Sequence, residues 1–571
     1  MPNNFSAAAS APSEGIAFPR LPARDLELLR PLGTPCSFED GQVIFSAGGD
    51  AVDLFVIESG AMEILNPAQH NKSIVTHGPG QFSGDIDLLT RRPPLVTGVA
   101  RGPTKLIRIA GARIREILNR LPHFGEVLLA AVQERRRLLL EIGAVGLTVV
   151  GPGKCRDTMA VREFLYKNFV PFIWHDSISE EGKRLMTSWG EPEHFPVVEF
   201  GNEKRLHNPT LRELARTAGV WRDCPTEPVD LVIVGAGPAG IAAAVYAASE
   251  GVSTVVLDRL GPGGQAGASS RIENFIGFPN GLSGNELATR GVLQMLKFGA
   301  SMVAPVMVDR IESVADSDGF LKLHLDCGAQ LRTRTILAAT GVSWRRLDVE
   351  GAERFESAGV HHACTTVEAD LYNDQEVAVV GAGNSAGQAA MFLAECCRTR
   401  TVHLLVRRRL GKDMSDYLVG RISATPNIRV HEGVEVGSVY GERRLEGLTL
   451  RAFSPKGASG AKGDGPVNSE SRAETLPVSA VFVFIGAEPG GAWLPDTVER
   501  DSLGYVLTGV DALKSGRWPL TNREPCPLET TVPGILAAGD LRSGSTKRVG
   551  FAVGDGSLAV TCVHKLTAIR Q

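Results

Sequence analysis

No C-x-x-C pair occurs in these 571 residues and no histidine-rich ligand set accompanies the nine cysteines, so nothing in the spacing points to zinc. The cysteine count is odd and irregularly spread, which suits a reducing compartment better than a disulfide framework. An uninterrupted apolar run long enough for a bilayer is also missing, because the longest stretch, 377–394, is broken by Asn384, Ser385 and Gln388. Residues 1–20 are rich in Ala, Ser and Pro, without a basic n-region or an apolar h-region, and predict a disordered tail rather than a signal peptide. Neither sign of charge dominates: the net charge is -4 and the pI about 6.3, which offers no broad attraction to nucleic acid or anionic lipid. These absences predict a cytoplasmic protein with no nucleic acid and no membrane among its partners. What remains, 43% hydrophobic and 22% charged residues over a length well beyond one core, predicts several globular domains.

Two glycine-rich turns stand out. Gly235-Ala236-Gly237-Pro238-Ala239-Gly240 follows the apolar run Leu231-Val232-Ile233-Val234 and opens a small-residue helix over 241–248. Gly235 allows the tight turn, Gly237 leaves room for a pyrophosphate, and Gly240 lets helix and strand pack closely. The helix amino end supplies N–H groups and positive potential, which makes an anion site. The next strand, 254–257, ends at Asp258, near the offset of about 20 residues where a carboxylate meets an unphosphorylated ribose. Gly381-Ala382-Gly383-Asn384-Ser385-Ala386 repeats the pattern after Val377-Ala378-Val379-Val380, but its following strand, 402–406, runs into Arg407-Arg408-Arg409. Guanidinium donors at that place, with Lys412 beyond them, suit a 2'-phosphate and hence NADPH; the alternative is a solvated basic turn.

From about residue 230 onward the chain resembles low-molecular-weight thioredoxin reductase and its flavoenzyme relatives. Gly263-Gly264-Gln265 and Glu273-Asn274 match the flavin-loop segment, and Ala339-Thr340-Gly341 ends the first half of the flavin domain. Phe484-Ile485-Gly486 leads back into it, and Gly539-Asp540 places a carboxylate where the family binds the flavin ribityl chain. Lys547-Arg548-Val549 falls where the family has its segment beside the isoalloxazine, and Gly554 and Gly556 keep the helix spacing that follows. The resemblance implies FAD on the first fold, NADPH on the second, rotation of one domain against the other, and a homodimer.

The family's C-x-x-C lies just before the second fingerprint. Here Cys364 takes the first cysteine position, Val367 the second, and Glu368 the position of the family's Asp. One thiol closes no intradomain disulfide. Three readings stand: Cys364 pairs with a thiol of another domain, acts alone through mixed disulfides or a sulfenic acid, or is a small core residue. On the last, electrons pass from the flavin directly to a disulfide, a quinone, a small electron carrier or oxygen.

Ahead of this core, short alternating runs between about 40 and 110 (Gln42-Val43-Ile44-Phe45, Leu54-Phe55-Val56-Ile57, Met62-Glu63-Ile64) suggest a small β-roll. With Gly80-Gln81-Phe82-Ser83-Gly84-Asp85-Ile86 they resemble a cyclic-nucleotide-binding domain. Asp85 takes the family's Glu position, and Pro94 or Leu95 stands where an Arg would meet the cyclic phosphate, so cyclic nucleotide is not expected and the module is either a docking domain or a sensor for another ligand. The run Glu134-Arg135-Arg136-Arg137 reads as a solvated helix face.

Between 147 and 220 a β-α-β-α-β-β-α order resembles a thioredoxin or glutaredoxin fold, with Phe195-Pro196-Val197 at the cis-proline position and Cys155 in the active-site loop. Cys155 is either a thiol activated by a helix amino end or a structural residue.

The predicted organisation is a multidomain chain: a tail at 1–20, a β-roll at 21–145, a thioredoxin-like α/β domain at 146–221, and a linker at 222–229. A Rossmann-like FAD domain at 230–345 and 487–571 then brackets an NADPH domain at 346–486, whose insertion 454–474 reads as a long hairpin loop. The predicted activity is NADPH-dependent FAD oxidoreduction of the thioredoxin reductase type, passing electrons to a thioredoxin-like protein, a small electron carrier or a quinone. The alternatives are a dithiol-independent ferredoxin, flavodoxin or quinone reductase, and a nucleotide or redox sensor.

Overall fold

The computed structural model describes residues 15–49, 53–67, 71–84, 87–142, 146–190, 192–200, 204–269, 271–312, 319–397, 399–442, 444–453 and 474–570. The amino-terminal module is an antiparallel roll in which the long strands Leu54–Asn66 and Thr97–Ile109 pair centrally, flanked by Lys72–His77 and Thr34–Phe38. Helices Ile114–Arg120 and Pro122–Ile142 close its core over Leu54, Val56, Phe82 and Ile107.

Two features of this module differ from the sequence reading. Residues 15–20 are part of it rather than tail: Ala17 is buried, and the Phe18 carbonyl accepts from Gln81 Nε2 at 2.8 Å. Arg135 and Arg136 are buried rather than solvated. Arg135 donates to the carbonyls of Ala17, Gly84 and Phe82 and packs 4.8 Å over the Phe82 ring, while Arg136 pairs with Asp87 at 3.0 Å. The carbonyls of the glycine-rich turn need donors, and these guanidiniums supply them. Asp85 and the insertion at 454–473 lie outside the described residues; Glu474 opens the strand Glu474–Leu476.

The next domain has the βαβαββα order expected. Leu147–Gly151 pairs in parallel with Phe172–Asp176 and antiparallel with Val197–Glu199, which pairs with Arg205–His207. The Phe195-Pro196 peptide is cis. The stretch read as a linker is packed rather than free: Cys224 lies against the FAD-domain core, and Arg222 donates to the Thr90 carbonyl of the β-roll.

The core is built of two sheets. In the first, Ser301–Val303, Thr254–Leu257, Val229–Val234, Gln330–Ala338 and Ile535–Ala537 run parallel, and a hairpin of Val308–Glu312 and Leu321–Leu325 extends the edge. The second is fully parallel, in the order Val360–His361, Ala480–Val483, Val377–Val380, Val402–Val406, Ile428–Glu432. The central strands carry the apolar runs 231–234 and 377–380 because both faces of each sheet are covered. One face is covered by helices such as Pro238–Ser249 and Asn384–Cys396, the other by the strands Val308–Glu312 and Leu321–Leu325 in the first sheet and Val434–Tyr440 and Gly447–Ala452 in the second. The chain crosses between the two domains twice, and the crossings pair as the ribbon Val342–Trp344 with Ala487–Pro489.

Candidate functional site

The first fingerprint is a tight turn with one open face. Gly235 has φ +109°, and a Cβ on Gly240 would lie 1.9 Å from the Gly235 carbonyl oxygen, so both positions require glycine. Gly237 caps the helix Pro238–Ser249, with Pro238 at its first position; the nearest atom to a Cβ on Gly237 is Gly264 Cα at 3.8 Å. Three distant segments converge there. Gly263, at φ +103°, donates to the Ala236 carbonyl at 2.8 Å and brings Gly264 over Gly237, while Gln265 Nε2 ties the same loop to the Val342 carbonyl. Gly539, at φ +68°, lies against Ala239, where a Cβ would stand 3.0 Å from the Ala239 side chain, and burial pushes the carboxyl of the next residue, Asp540, above its usual range. The carboxy-terminal helix Val549–Arg570 crosses at Gly556, where a Cβ would meet the Ala239 carbonyl oxygen at 2.2 Å. Open space, bare amides at a helix amino end and glycines on both sides fit a pyrophosphate and its dinucleotide.

Asp258 also has a local task. Its carboxylate accepts from the amides of Ala236 at 2.8 Å and of Leu260 and Gly261 at 2.9 Å, tying the fingerprint to the next loop. A cleft of about 450 Å³ opens beside it, between Arg259, Val306 and Met307 of this domain and Arg212 and Arg216 of the thioredoxin-like domain. Thr340 Oγ1 donates to the Gly490 carbonyl, and Gly341 takes a positive φ. Lys547 bonds the Tyr505 hydroxyl and lies 4.6 Å over its ring; Arg548 is exposed and Val549 begins the last helix. Asn274 is exposed, and its neighbour Glu273 is held by Arg421 of the NADPH domain.

The second turn repeats the geometry. A Cβ on Gly381 would lie 2.4 Å from the Phe484 carbonyl oxygen, whereas one on Gly383 meets only the Asp413 oxygen at 3.9 Å. The Asn384 amide is engaged with Ser415, donating to Oγ at 3.1 Å and accepting from the backbone N–H at 2.8 Å. Ser385 is exposed and Ala386 buried. Arg407 pairs with Glu435 at 3.4 Å, a partner no local spacing could reveal; Arg408, Arg409 and Lys412 are exposed at the strand's carboxyl end.

Cys364 is a core residue. Its thiol lies 4.0 Å from the Ala389 carbonyl oxygen among Tyr372, Met391 and Leu393, and burial pushes it well above the ordinary thiol range. Glu368 is buried too, accepting from the Thr365 amide at 2.7 Å and hydroxyl at 2.6 Å, and burial raises its carboxyl. The thioredoxin-like domain packs over this segment. Arg162 of helix Arg156–Lys167 donates to the Val367 carbonyl at 3.0 Å, and Lys154 sits 4.8 Å over the Tyr372 ring. Cys155 caps the helix, partly exposed. In these inter-domain contacts, Arg162 and Tyr372 are residues that no motif had marked.

The family described as pyridine nucleotide-disulphide oxidoreductase matches residues 229–556, and the cyclic nucleotide-binding domain matches residues 35–121. A thioredoxin reductase of Ureaplasma parvum serovar 3 is 30% identical over 340 residues, 58% of this chain and 95% of that protein. An alkyl hydroperoxide reductase subunit of Staphylococcus aureus strain MSSA476 is 29% identical over 417 residues, 71% of this chain and 73% of that protein. The crystal structure of T. acidophilum thioredoxin reductase, 25% identical, covers 60% of this chain and 99% of its own with a TM-score of 0.50. A match over more than half the chain, on the two dinucleotide folds just described, makes this chain a member of the pyridine nucleotide-disulphide oxidoreductase family, with a thioredoxin reductase-like core fused to a cyclic nucleotide-binding domain.

Proposed function

We propose that this NADPH-dependent FAD oxidoreductase serves its acceptor at the flavin pocket itself, with no dithiol of its own NADPH domain in between. The observation that carries this is the environment of Cys364, a buried thiol raised well above the ordinary range, with Val367 rather than a second cysteine three residues on. When bound, FAD supplies the two-electron chemistry between the nicotinamide and the acceptor. The chain's own residues hold and orient. The open face of Gly237 and Gly264 and the helix amides receive the pyrophosphate, Asp540 the ribityl chain, and Gly383 with Arg408, Arg409 and Lys412 the NADPH phosphates.

Likeness to proteins named thioredoxin reductase and alkyl hydroperoxide reductase supports a thioredoxin-like or peroxiredoxin-type disulfide as the acceptor. The missing dithiol supports a second reading, a ferredoxin, flavodoxin or quinone as acceptor. A homodimer and a cytoplasmic location belong to the same proposal; nine free thiols suit a reducing compartment, and no helix among the described residues is long and apolar enough to cross a membrane. Steady-state NADPH oxidation against a thioredoxin, a peroxiredoxin, a flavodoxin and a quinone tests it. Fast turnover with one of these is expected; flavin reduction that stops after one equivalent with all of them contradicts the enzyme reading.

A further inference from the structure

We propose that Asn168 of the thioredoxin-like domain is a positioning residue for the flavin-nucleotide loop, and that the β-roll holds it in place through Arg92. The inference rests on the FAD reading of the first fingerprint.

Asn168 closes the helix Arg156–Lys167 and is fully buried. Its side-chain amide has two hydrogens and uses both across short distances: one goes to the Phe164 carbonyl of its own helix at 2.9 Å, the other to the Leu260 carbonyl of the FAD domain at 2.8 Å. The approach is close, since a Cβ on Gly261 would lie 2.6 Å from Asn168 Nδ2. Leu260 and Gly261 are the residues whose amides bind Asp258 Oδ1, and Asp258 Oδ2 accepts from Ala236 inside the fingerprint. An unbroken line of hydrogen bonds therefore joins Asn168 to the backbone that faces the pyrophosphate. Lys167 adds a second tie, 3.4 Å from the Gly264 carbonyl.

The other end of the line is in the β-roll. The main-chain carbonyl of Asn168 accepts from Arg92 Nη1 at 2.6 Å, and Arg92 is buried. Arg92 lies in the stretch where a cyclic-nucleotide-binding domain has its phosphate cassette, two residues before Pro94. That stretch is committed to its neighbours: the Thr90 carbonyl accepts from Arg222, and Pro93 lies 2.5 Å from where a Cβ on Gly219 would stand. Leu89 packs against both the β-roll core and the FAD-domain core. A charge-assisted, buried hydrogen bond is among the stronger ones, and packed segments of this kind shift as units. Loss of the Arg92 donors frees the end of the helix, which loosens Leu260 and Gly261 and with them the hold of Asp258 on the Ala236 amide.

The test is FAD affinity of the full chain, by flavin fluorescence, in Asn168→Ala, Arg92→Met, Gly261→Ala and the Asn168→Ala/Arg92→Met double variant, with NADPH affinity and apo-protein melting measured alongside. Each single change is expected to weaken FAD by about tenfold, the loss expected for one buried hydrogen bond. The double variant is expected to be no weaker than the weaker single one, with NADPH affinity unchanged. Arg92→Met and Gly261→Ala leave Asn168 intact and keep the test open if Asn168→Ala fails to fold. Unaltered FAD affinity in those two variants, losses that add in the double variant, or lower melting temperatures with FAD affinity unchanged would overturn the proposal. A wild-type chain that binds no FAD would instead overturn the reading of the first fingerprint, and this proposal with it.

Discussion

Gly237 and Gly240, one helical turn apart, face opposite constraints: a methyl on Gly240 would strike the Gly235 carbonyl oxygen at 1.9 Å, while one on Gly237 has no neighbour nearer than 3.8 Å. Gly240 serves the fold, and Gly237 keeps room for a ligand. Gly240→Ala is therefore expected to destabilise the protein, by about 1–3 kcal/mol as for an overpacked core site. Gly237→Val is expected to leave the melting temperature of the apo-protein unchanged and abolish FAD binding. Melting curves and flavin content of the two purified variants check this; FAD retained by Gly237→Val would contradict the assignment.

Glu368 predicts a pH dependence. Burial holds its carboxyl above the ordinary 4.5, so the folded chain keeps this proton to higher pH than the unfolded chain. The stability this group contributes is present in full below about 4.5 and is lost as pH rises through the raised value. Glu368→Gln retains an oxygen that can accept from the Thr365 amide and hydroxyl. It is expected to flatten that slope and to exceed the wild type in denaturant midpoint at about pH 8. Unfolding curves across the pH range check it, and parallel curves for the two proteins would contradict it.

Arg135 separates a buried donor from a surface charge. Arg135→Met removes the donors to Ala17, Gly84 and Phe82, so a loss of about 3 kcal/mol or more is expected. A solvated arginine would cost within about 0.5 kcal/mol. Chemical denaturation decides between them.

The two dinucleotide folds were legible because their signals are local. Apolar runs such as Val377–Val380 end in glycines whose backbone angles, φ +146° at Gly381 for instance, admit few other residues. The thioredoxin-like order was legible through its alternating strands and helices, with the cis peptide falling at Pro196. The engagements of Arg135, Arg162 and Asn168 were not. Each acts on a residue far along the chain, as Arg162 does on Val367, and helical periodicity records which face is apolar, not which carbonyl of another domain lies opposite. Asp258 shows the intermediate case: its position followed from the strand spacing, but its grip on Ala236, Leu260 and Gly261 depends on how the loop turns back.

The central claim is that electrons reach the acceptor without passing through Cys364. Steady-state NADPH turnover of Cys364→Ser, measured with the acceptor that the wild type uses fastest, tests it most directly. Turnover within about twofold of wild type is the expected result, since a buried cysteine contributes packing rather than chemistry. A variant whose flavin is still fully reduced by NADPH but whose turnover is lost would contradict it.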